Sequence, residues 1–281
     1  MSFLDRIHTC NRHDRARYRP FVVAGTRVGW IGQTLARRLE SFTDVFAVEA
    51  ERVVLNPRLA DPASRSAAVE AVLQRLAAEG LVRHWRNERY PVAAGFDQAP
   101  LLAMERAAVP LFGVRAYGVH VNGFVRDGHG IRMWIARRST TKPTYPGMLD
   151  NMVAGGQPLG LGLLENVQKE AWEEAGIPAW LSQRARPVGA VSYCYEGAGG
   201  LRPDTLFNFD LELPPDFFPE PRDGEIESFA LWPMERVIET VRDSEDFKFN
   251  CNLVIIDFLI RHGFIGPDDP DYLALVAGLH R

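Results

Sequence analysis

The sequence predicts an α+β fold in two units, residues 1–113 and residues 114–281. The chain has 281 residues, more than the roughly 100–200 of a typical domain. Strand-like and helical patterns are mixed along its whole length, and prolines and glycines are frequent just before residue 113, where we place the boundary. Hydrophobic residues make up 46% and charged residues 24%, which is the composition of an ordinary globular protein.

The N-terminal unit is predicted to begin with a helix around Leu4–Asn11, followed by strand-like runs at Tyr18–Val23 and Phe46–Leu55. A longer helix follows, because Asp61 is a favourable N-cap and Pro62 suits the first helical position. Four apolar residues then recur at helical spacing before Gly80: Val69, Val72, Leu73 and Leu76.

The C-terminal unit is predicted to open with a β-hairpin, in which Tyr117–Val125 and Ile131–Arg137 flank the turn 126–130. A strand at Met148–Val153 leads into the glycine-rich loop Gly155–Gly160. The next helix is predicted over Leu163–Ala175, with Gly176 ending it. The remaining predicted elements are strands at Pro187–Tyr195, Leu206–Leu213 and Ser228–Leu231 and helices at Met234–Val241, Asn250–Arg261 and Asp271–Leu279.

Three glutamates on the helix over Leu163–Ala175 form the most informative pattern in the sequence. Glu170, Glu173 and Glu174 are spaced i, i+3 and i+4, which places their carboxylates within a sector of about 100°. An adjacent stripe of Leu164, Val167, Ala171 and Ala175 can pack on a sheet. A divalent cation would neutralise the clustered carboxylates, and oxygen ligands suit Mg²⁺ or Mn²⁺ better than zinc. The alternative is an acidic helix face that is merely solvated.

The segment Gly155–Ile177 resembles the Nudix box, a loop-helix-loop of the same length. Seven of its positions match in register: Gly155, Glu170, Ala171, Glu173, Glu174, Gly176 and Ile177. Lys169 replaces the arginine of the box, and Leu161 stands where the box has its first glutamate, a residue that supports the geometry of the loop. The three glutamates of the helix match the metal-binding core of the family.

The resemblance extends over roughly residues 116–264 and implies a Nudix α/β/α sandwich. The run from Trp134 to Gly156 is similar to a narrower subgroup, the Nudix domain fused to fungal thiamine pyrophosphokinase. That subgroup also carries an N-terminal α+β extension with a joint resembling Arg106–Gly113. The resemblance implies metal-dependent hydrolysis of thiamine diphosphate or its oxidised analogues to the monophosphate.

The same resemblance implies roles for individual residues. Glu170, Glu173 and Glu174 would hold Mg²⁺ or Mn²⁺, and Glu170 is also a candidate base that activates water. An additional metal-binding or base glutamate is expected before Trp232, where Glu225 is preferred to Glu227.

Cationic side chains near the glycine-rich loop are the candidate ligands of a diphosphate. Arg137, Arg138 and Lys142 follow the second hairpin strand, and alternation along a strand allows at most one of the two arginines to face the site. Gly155 and Gly156 are expected to lie against the substrate. Aromatic residues available for a cationic ring are Trp134, Tyr145, Tyr193, Tyr195, Trp30 and Trp85.

Several classes of partner are not expected. The net charge of −4 provides no footprint for nucleic acid, and no run of about 18 apolar residues suggests a membrane span. The N-terminus has no apolar signal core, so a cytoplasmic location is expected. Three cysteines at wide spacing predict neither a disulfide framework nor a zinc site.

Two other functions remain open from the sequence. The first is hydrolysis of ADP-ribose or dinucleoside polyphosphates, and the second is a Nudix-fold module that binds without turnover. The N-terminal unit could cover the substrate pocket, mediate a homodimer or support the sheet.

Overall fold

The N-terminal part of the chain is a small sheet covered by helices. The structure, a computed structural model, describes residues 2–128 and 130–280. The helices of this part are α1 (Phe3–Cys10), α2 (Gln33–Leu39) and α3 (Pro62–Ala78). Its strands are β1 (Tyr18–Val23), β2 (Thr26–Gly32), β3 (Phe46–Val48), β4 (Val53–Leu55), β5 (Arg89–Val92) and β6 (Leu102–Glu105).

Four of these strands form a sheet in the order β2-β1-β4-β3, and β5 pairs with β6 in a separate hairpin. Helix α3 begins as predicted, because the Asp61 carboxylate accepts hydrogen bonds from the N–H groups of Ala63 and Ser64, both at 2.9 Å. The predicted stripe is confirmed, since the buried residues of α3 are Val69, Val72, Leu73 and Leu76.

The C-terminal part contains the larger sheet. Its strands are β7 (Tyr117–Asp127), β8 (Gly130–Arg138), β9 (Leu149–Asn151), β10 (Val153–Gly156), β11 (Arg186–Ser192), β12 (Tyr195–Gly197), β13 (Gly200–Arg202), β14 (Thr205–Glu212) and β15 (Ile226–Pro233). Its helices are α4 (Leu163–Ala175), α5 (Ala179–Ser182), α6 (Met234–Asp243), α7 (Cys251–Arg261) and α8 (Tyr272–Gly278). None of the helices in the described part of the chain is long and apolar enough to cross a membrane.

The larger sheet has the strand order β11-β14-β7-β8-β15, with β10 added to β7 and β9 added to β8. The predicted hairpin is confirmed, because β7 and β8 are antiparallel and Asp127 lies opposite Gly130. His129, within the predicted turn, lies outside the described residues. Strand β10 pairs with β7, and strand β9 pairs with β8. Strands β7 and β8 therefore separate from each other toward the start of β7, beside the residues that follow β10.

The predicted α/β/α sandwich is confirmed by two hydrophobic clusters, each of which includes residues of the sheet. One cluster joins the sheet to α4 through Val167, Ala171 and Ala175. The other joins it to α6, α7 and α8, and it includes Ile7 and Cys10 of α1. The first helix therefore packs on the C-terminal helices, and the domain boundary near residue 113 stays a prediction.

Helix α4 differs from the predicted stripe at its first turn. Leu164 is 41% exposed, so its prediction as a packing residue was wrong, whereas Asn166 is completely buried. The cause is that the first turn faces the glycine-rich loop, where Asn166 donates a hydrogen bond to the carbonyl of Gly156 at 2.8 Å. Gly176 ends the helix as predicted, in the left-handed conformation with φ of 64°.

Candidate active site

A polar cavity of about 460 Å³ lies where the N-terminal part meets the carboxyl-terminal end of β10 and helix α4. Seven of the residues predicted for the site line it: Arg138, Lys142, Gly155, Gly156, Glu170, Glu173 and Glu225. Arg137 and Glu174 are not among the described residues that line it.

Glu170 and Glu173 present their carboxylates to the cavity from one face of α4. Lys169 bridges them, with its Nζ 3.1 Å from Glu170 Oε1 and 2.7 Å from Glu173 Oε2. Burial raises the pKa of Glu170, and the charge of Lys169 opposes this shift. A Cβ on Gly155 would overlap the Cγ and Cδ atoms of Glu170, so the glycine allows this carboxylate to lie against β10. The two carboxylates thus form a site that already attracts a cation.

Glu174 lies behind the cavity wall and is 3% exposed. Its Oε2 accepts a hydrogen bond from the N–H of Ala154 at 2.9 Å, and no described cation forms an ion pair with it. Burial holds the pKa of Glu174 well above its usual range, and the carboxylates of Asp150 and Glu170 add to the shift. A buried carboxylate without a cationic partner is costly, so the donor set of Glu170, Glu173 and Glu174 fits a divalent metal ion.

The glycine-rich loop is held by side chains that the sequence analysis did not identify. Asn166 donates to the Gly156 carbonyl and to Gln157 Oε1 at 3.0 Å, and Gln157 Nε2 donates to the Leu161 carbonyl at 2.6 Å. Glu165 accepts from the N–H of Gly162 at 3.3 Å, which caps the start of α4. These bonds restrain the loop although Leu161 replaces the glutamate of the box. The available signal in the sequence was a glutamate three positions after Gly162, the spacing of a capping box.

Arg137 and Arg138 diverge, as alternation along a strand requires. Arg137 is exposed and donates to the carbonyl of Gly147 at 2.8 Å, away from the cavity. Arg138 is buried beside the cavity, where it pairs with Asp150 at 2.7 Å and donates to the carbonyls of Thr144 and Tyr145 at 2.9 and 3.0 Å. Arg138 is therefore engaged within the protein and supports the loop that carries Tyr145.

Lys142 and Glu225 form an ion pair on another part of the cavity wall. Burial raises the pKa of Glu225, but the hydrogen bond and charge of Lys142 outweigh this effect, so the pKa lies below its ordinary value. Glu227 is exposed and is not among the described residues that line the cavity.

An aromatic group lines a further part of the cavity. Tyr145 and Tyr193 each pack on Phe249, with ring centroids 5.4 and 5.7 Å apart. Asn250 Nδ2 donates to the Tyr193 hydroxyl at 3.1 Å, and that hydroxyl donates to Asp204 Oδ2 at 3.2 Å. Burial raises the pKa of Asp204. The sequence analysis did not identify Asp204 or Phe249, because the residues around each of them match no motif.

The other aromatic candidates lie elsewhere. Trp134 packs in the α4 cluster near Phe218, with ring centroids 6.0 Å apart. Tyr195 packs on Phe249 with its ring tilted by 36°, but it is not among the described residues that line the cavity, and neither are Trp30 and Trp85.

Residues of the N-terminal part complete the cavity wall, among them Arg86, Glu88, Tyr90 and Arg106. A Cβ on Gly156 would overlap the Tyr90 hydroxyl. The N–H of Leu159 donates to the carbonyl of Arg89 at 3.0 Å, which joins the glycine-rich loop to β5. Residues of this part of the chain therefore line the cavity, which favours a role in covering the substrate pocket among the three roles left open.

A second group near the cavity could be considered for a metal, since potential ligand atoms of His120, Asp150 and Cys251 lie within 4.8 Å of one another. Asp150, however, is already paired with Arg138 at 2.7 Å and with Lys248 at 3.6 Å, and it accepts a hydrogen bond from the Cys251 thiol at 2.7 Å. Two cations beside one carboxylate disfavour a metal ion there, so this group does not fit one.

Comparisons with known proteins show which families the chain resembles. Residues 2–116 match a family described as a domain of unknown function, DUF4743. Nudix hydrolase 20, chloroplastic, from Arabidopsis thaliana is 44% identical over 285 residues, covering 97% of this chain and 76% of that protein. Nudix hydrolase 24, chloroplastic, from the same plant is 44% identical over 278 residues with the same coverage.

Among solved structures, the NUDIX domain of Shewanella oneidensis NrtR complexed with ADP ribose is 12% identical, covers 55% of this chain and 91% of that one, and has a TM-score of 0.42.

The identity to the two plant proteins places the chain in a class of hydrolytic enzymes. The protein belongs to the Nudix hydrolase family. The prediction that it is a hydrolase with a Nudix fold is confirmed.

Proposed function

We propose that this Nudix hydrolase uses Mg²⁺ or Mn²⁺ to cleave the diphosphate of thiamine diphosphate or its oxidised analogues, releasing the monophosphate and phosphate. The observation that carries the proposal is that one cavity is lined both by the carboxylates of Glu170 and Glu173 and by the aromatic group with Asp204. The first group suits a metal-bound diphosphate, and the second suits a nitrogen-containing ring system.

The metal-binding group comprises Glu170, Glu173 and Glu174. A bound divalent ion supplies neutralisation of the diphosphate charge and activation of water. Lys142, Gly155 and Gly156 lie beside this group on the cavity wall and bind the phosphates. Arg138 acts indirectly, because its hydrogen bonds to the carbonyls of Thr144 and Tyr145 hold that loop.

The base that accepts the proton of the attacking water is Glu170. It lines the cavity on the same helix face as Glu173, whereas the carboxylate of Glu225 is engaged by Lys142. Glu225 orients Lys142 toward the phosphates through their ion pair. Glu170→Gln should then lower kcat far more than Glu225→Gln, whereas Glu225→Gln should act mainly on KM.

The organic part of the substrate binds the aromatic group. Tyr145 has a left-handed backbone with φ of 52°, which is strained for tyrosine and is held by Arg138. Cation–π contacts with a thiazolium ring contribute about 0.5–2 kcal/mol each. Asp204, held by the Tyr193 hydroxyl, accepts a hydrogen bond from the exocyclic amine of the pyrimidine ring, and oxidised analogues retain this amine where only the thiazolium ring is changed.

Competition in one assay tests the substrate. Thiamine diphosphate, its oxo and oxy analogues and ADP-ribose are supplied together with Mg²⁺, and we expect the thiamine compounds to be cleaved with the higher kcat/KM. A kcat/KM for ADP-ribose at least about tenfold above that of every thiamine compound would contradict the thiamine assignment and favour nucleotide substrates. Tight binding without any product would indicate a binding module.

A pair of variants links the preference to the cavity. Asp204→Asn should reduce the ratio of kcat/KM for thiamine compounds to that for ADP-ribose, because a neutral amide oxygen accepts from the ring amine more weakly than a carboxylate does. Asp268→Asn, on an exposed loop, is the matched control and should leave the ratio unchanged.

The location of the protein stays a prediction. We infer a cytoplasmic enzyme acting on a small-molecule diphosphate, with a homodimer left open. The two plant relatives carry the word chloroplastic in their names.

A further inference from the structure

Arg106 stands at the point where the N-terminal part of the chain approaches the Nudix box. It lines the cavity, and its Nη2 would lie 3.2 Å from a Cβ on Gly156. The positive charge of Arg106 favours the ionised form of both Glu170 and Glu225, although burial is the largest influence on the pKa of each. One guanidinium from the N-terminal part therefore acts on acidic groups at two positions of the cavity wall.

The backbone around Arg106 is fixed by a buried carboxylate. Glu105 is 2% exposed, and its Oε1 accepts hydrogen bonds from the N–H groups of Arg86 and Ala107 at 2.8 and 3.1 Å. The N–H of Arg106 itself donates to the carbonyl of Glu88 at 2.8 Å. These bonds set where the Arg106 side chain begins, so its approach to the cavity does not depend on a flexible loop.

The guanidinium retains donors for a ligand. Its Nη1 pairs with Glu88 at 2.7 Å, and its carbon lies 5.5 Å from the centre of the Tyr90 ring. An arginine has five N–H donors in a planar fork, and one ion pair and one ring contact leave part of that fork available. The Arg106 side chain is 44% exposed, which is consistent with an opening toward the cavity.

We propose that Arg106 is a phosphate-binding residue of the hydrolase site, supplied by the N-terminal part of the chain. Its fork binds phosphate oxygens next to Gly156 while the Tyr90 ring holds its orientation, and Glu88 competes with the phosphate for Nη1. The Nudix unit alone thus has an incomplete substrate site. This inference rests on the proposed diphosphate hydrolysis but not on the identity of the organic group.

The experiment uses the full chain with Mg²⁺ and two readouts. The first is steady-state hydrolysis of whichever diphosphate the wild type cleaves best, and the second is calorimetric binding of imidodiphosphate. Arg106→Ala should raise KM and weaken imidodiphosphate binding by about tenfold or more, because a charge-assisted bidentate contact is lost. Arg106→Lys should give an intermediate effect, since it keeps the charge and loses the fork.

Two control variants separate binding from support of the fold. Glu88→Gln removes the charge that competes for Arg106, so KM should stay the same or fall. Arg83→Ala, an exposed arginine of the same unit whose Nε donates to the Gly80 carbonyl at 3.1 Å, should leave both readouts unchanged.

Wild-type KM and wild-type imidodiphosphate binding in Arg106→Ala would overturn the inference and leave the proposed function intact. An increase of KM in Glu88→Gln equal to that in Arg106→Ala would also overturn it, because the ion pair would then be structural. A wild-type protein that neither cleaves any diphosphate nor binds imidodiphosphate would overturn the inference and the proposed function together.

Discussion

Gly155 and Glu170 are in such close approach that a single added methyl group at position 155 would occupy the space of the glutamate side chain. The glycine is on β10 and the glutamate is on α4, so the contact sets how closely the helix carries its carboxylates to the strand.

Gly155→Ala should therefore displace Glu170 and lower kcat/KM by about tenfold or more while the protein still folds. The matched control is Gly162→Ala at the start of α4, where the nearest atom to a Cβ is 3.9 Å away and φ is −72°. Steady-state kinetics and circular dichroism of both variants provide the test. Equal activity of the two variants would contradict the importance of the close approach.

Glu173→Gln and Glu174→Gln should each lower kcat by about two orders of magnitude or more, since each removes a negative charge from the metal-binding group. In metal-free protein at neutral pH, Glu174→Gln should raise the melting temperature. The physical reason is that an acid whose folded-state pKa is raised destabilises the fold when it is ionised, and glutamine can still accept from Ala154.

Glu165→Gln is the control on the same helix, because glutamine also suits the capping position and Glu165 is not among the described lining residues. Wild-type turnover in Glu173→Gln or Glu174→Gln would rule out the metal-binding assignment for that residue.

Activity should vanish when a chelator removes divalent ions and return on addition of Mg²⁺ or Mn²⁺. Either ion should also raise the melting temperature, because it binds the folded state through Glu170, Glu173 and Glu174. Differential scanning fluorimetry across a metal titration measures this second effect independently of turnover. Full activity after exhaustive chelation would exclude the mechanism.

Acidification should weaken the fold through His120. Burial, assisted by Lys248, lowers the pKa of His120 to about 4 from an ordinary value of 6.5. The unfolded chain therefore binds a proton between these values while the folded protein does not, so this contribution to stability is complete above pH 6.5 and is lost as the pH falls toward 4. The full contribution is on the order of 3 kcal/mol.

Urea unfolding of wild type and His120→Gln at several pH values isolates the effect, because the other titrating groups are common to both proteins. The difference in the free energy of unfolding should shrink as the pH is lowered. A difference that is constant with pH would show that His120 does not titrate in this way.

The elements that could be predicted from the sequence are those with strong local signals. Helix α3 has an aspartate cap followed by proline, and α4 ends in a left-handed glycine, so both were predicted. The region 26–39, which forms β2 and α2, was missed because Gly32 begins α2 without a side-chain cap and the helix has only seven residues. Strands β5 and β6 have four residues each, too few for an alternating pattern to be recognised.

The same distinction applies to the site. Glu170 and Glu173 could be found because their spacing along one helix determines that they face the same way. Tyr90, Arg106 and Asp204 could not be found, because they come near the box only through packing of segments far apart in the sequence. Strand alternation predicted that at most one of Arg137 and Arg138 faces the site. It could not predict that Arg138 binds Asp150 and the carbonyls of Thr144 and Tyr145.

The overlap between a side chain at position 156 and the Tyr90 hydroxyl makes these two positions interdependent. Alanine at 156 requires the oxygen of residue 90 to be absent, whereas the next ring atom, Cζ, would lie 3.0 Å from the added Cβ and can shift slightly. Phenylalanine at 90 would then act as an intragenic suppressor of Gly156→Ala. A substitution that enlarges residue 156 is therefore tolerated only after one that shortens residue 90. The N-terminal part of the chain thus limits which residues can replace the glycine at position 156.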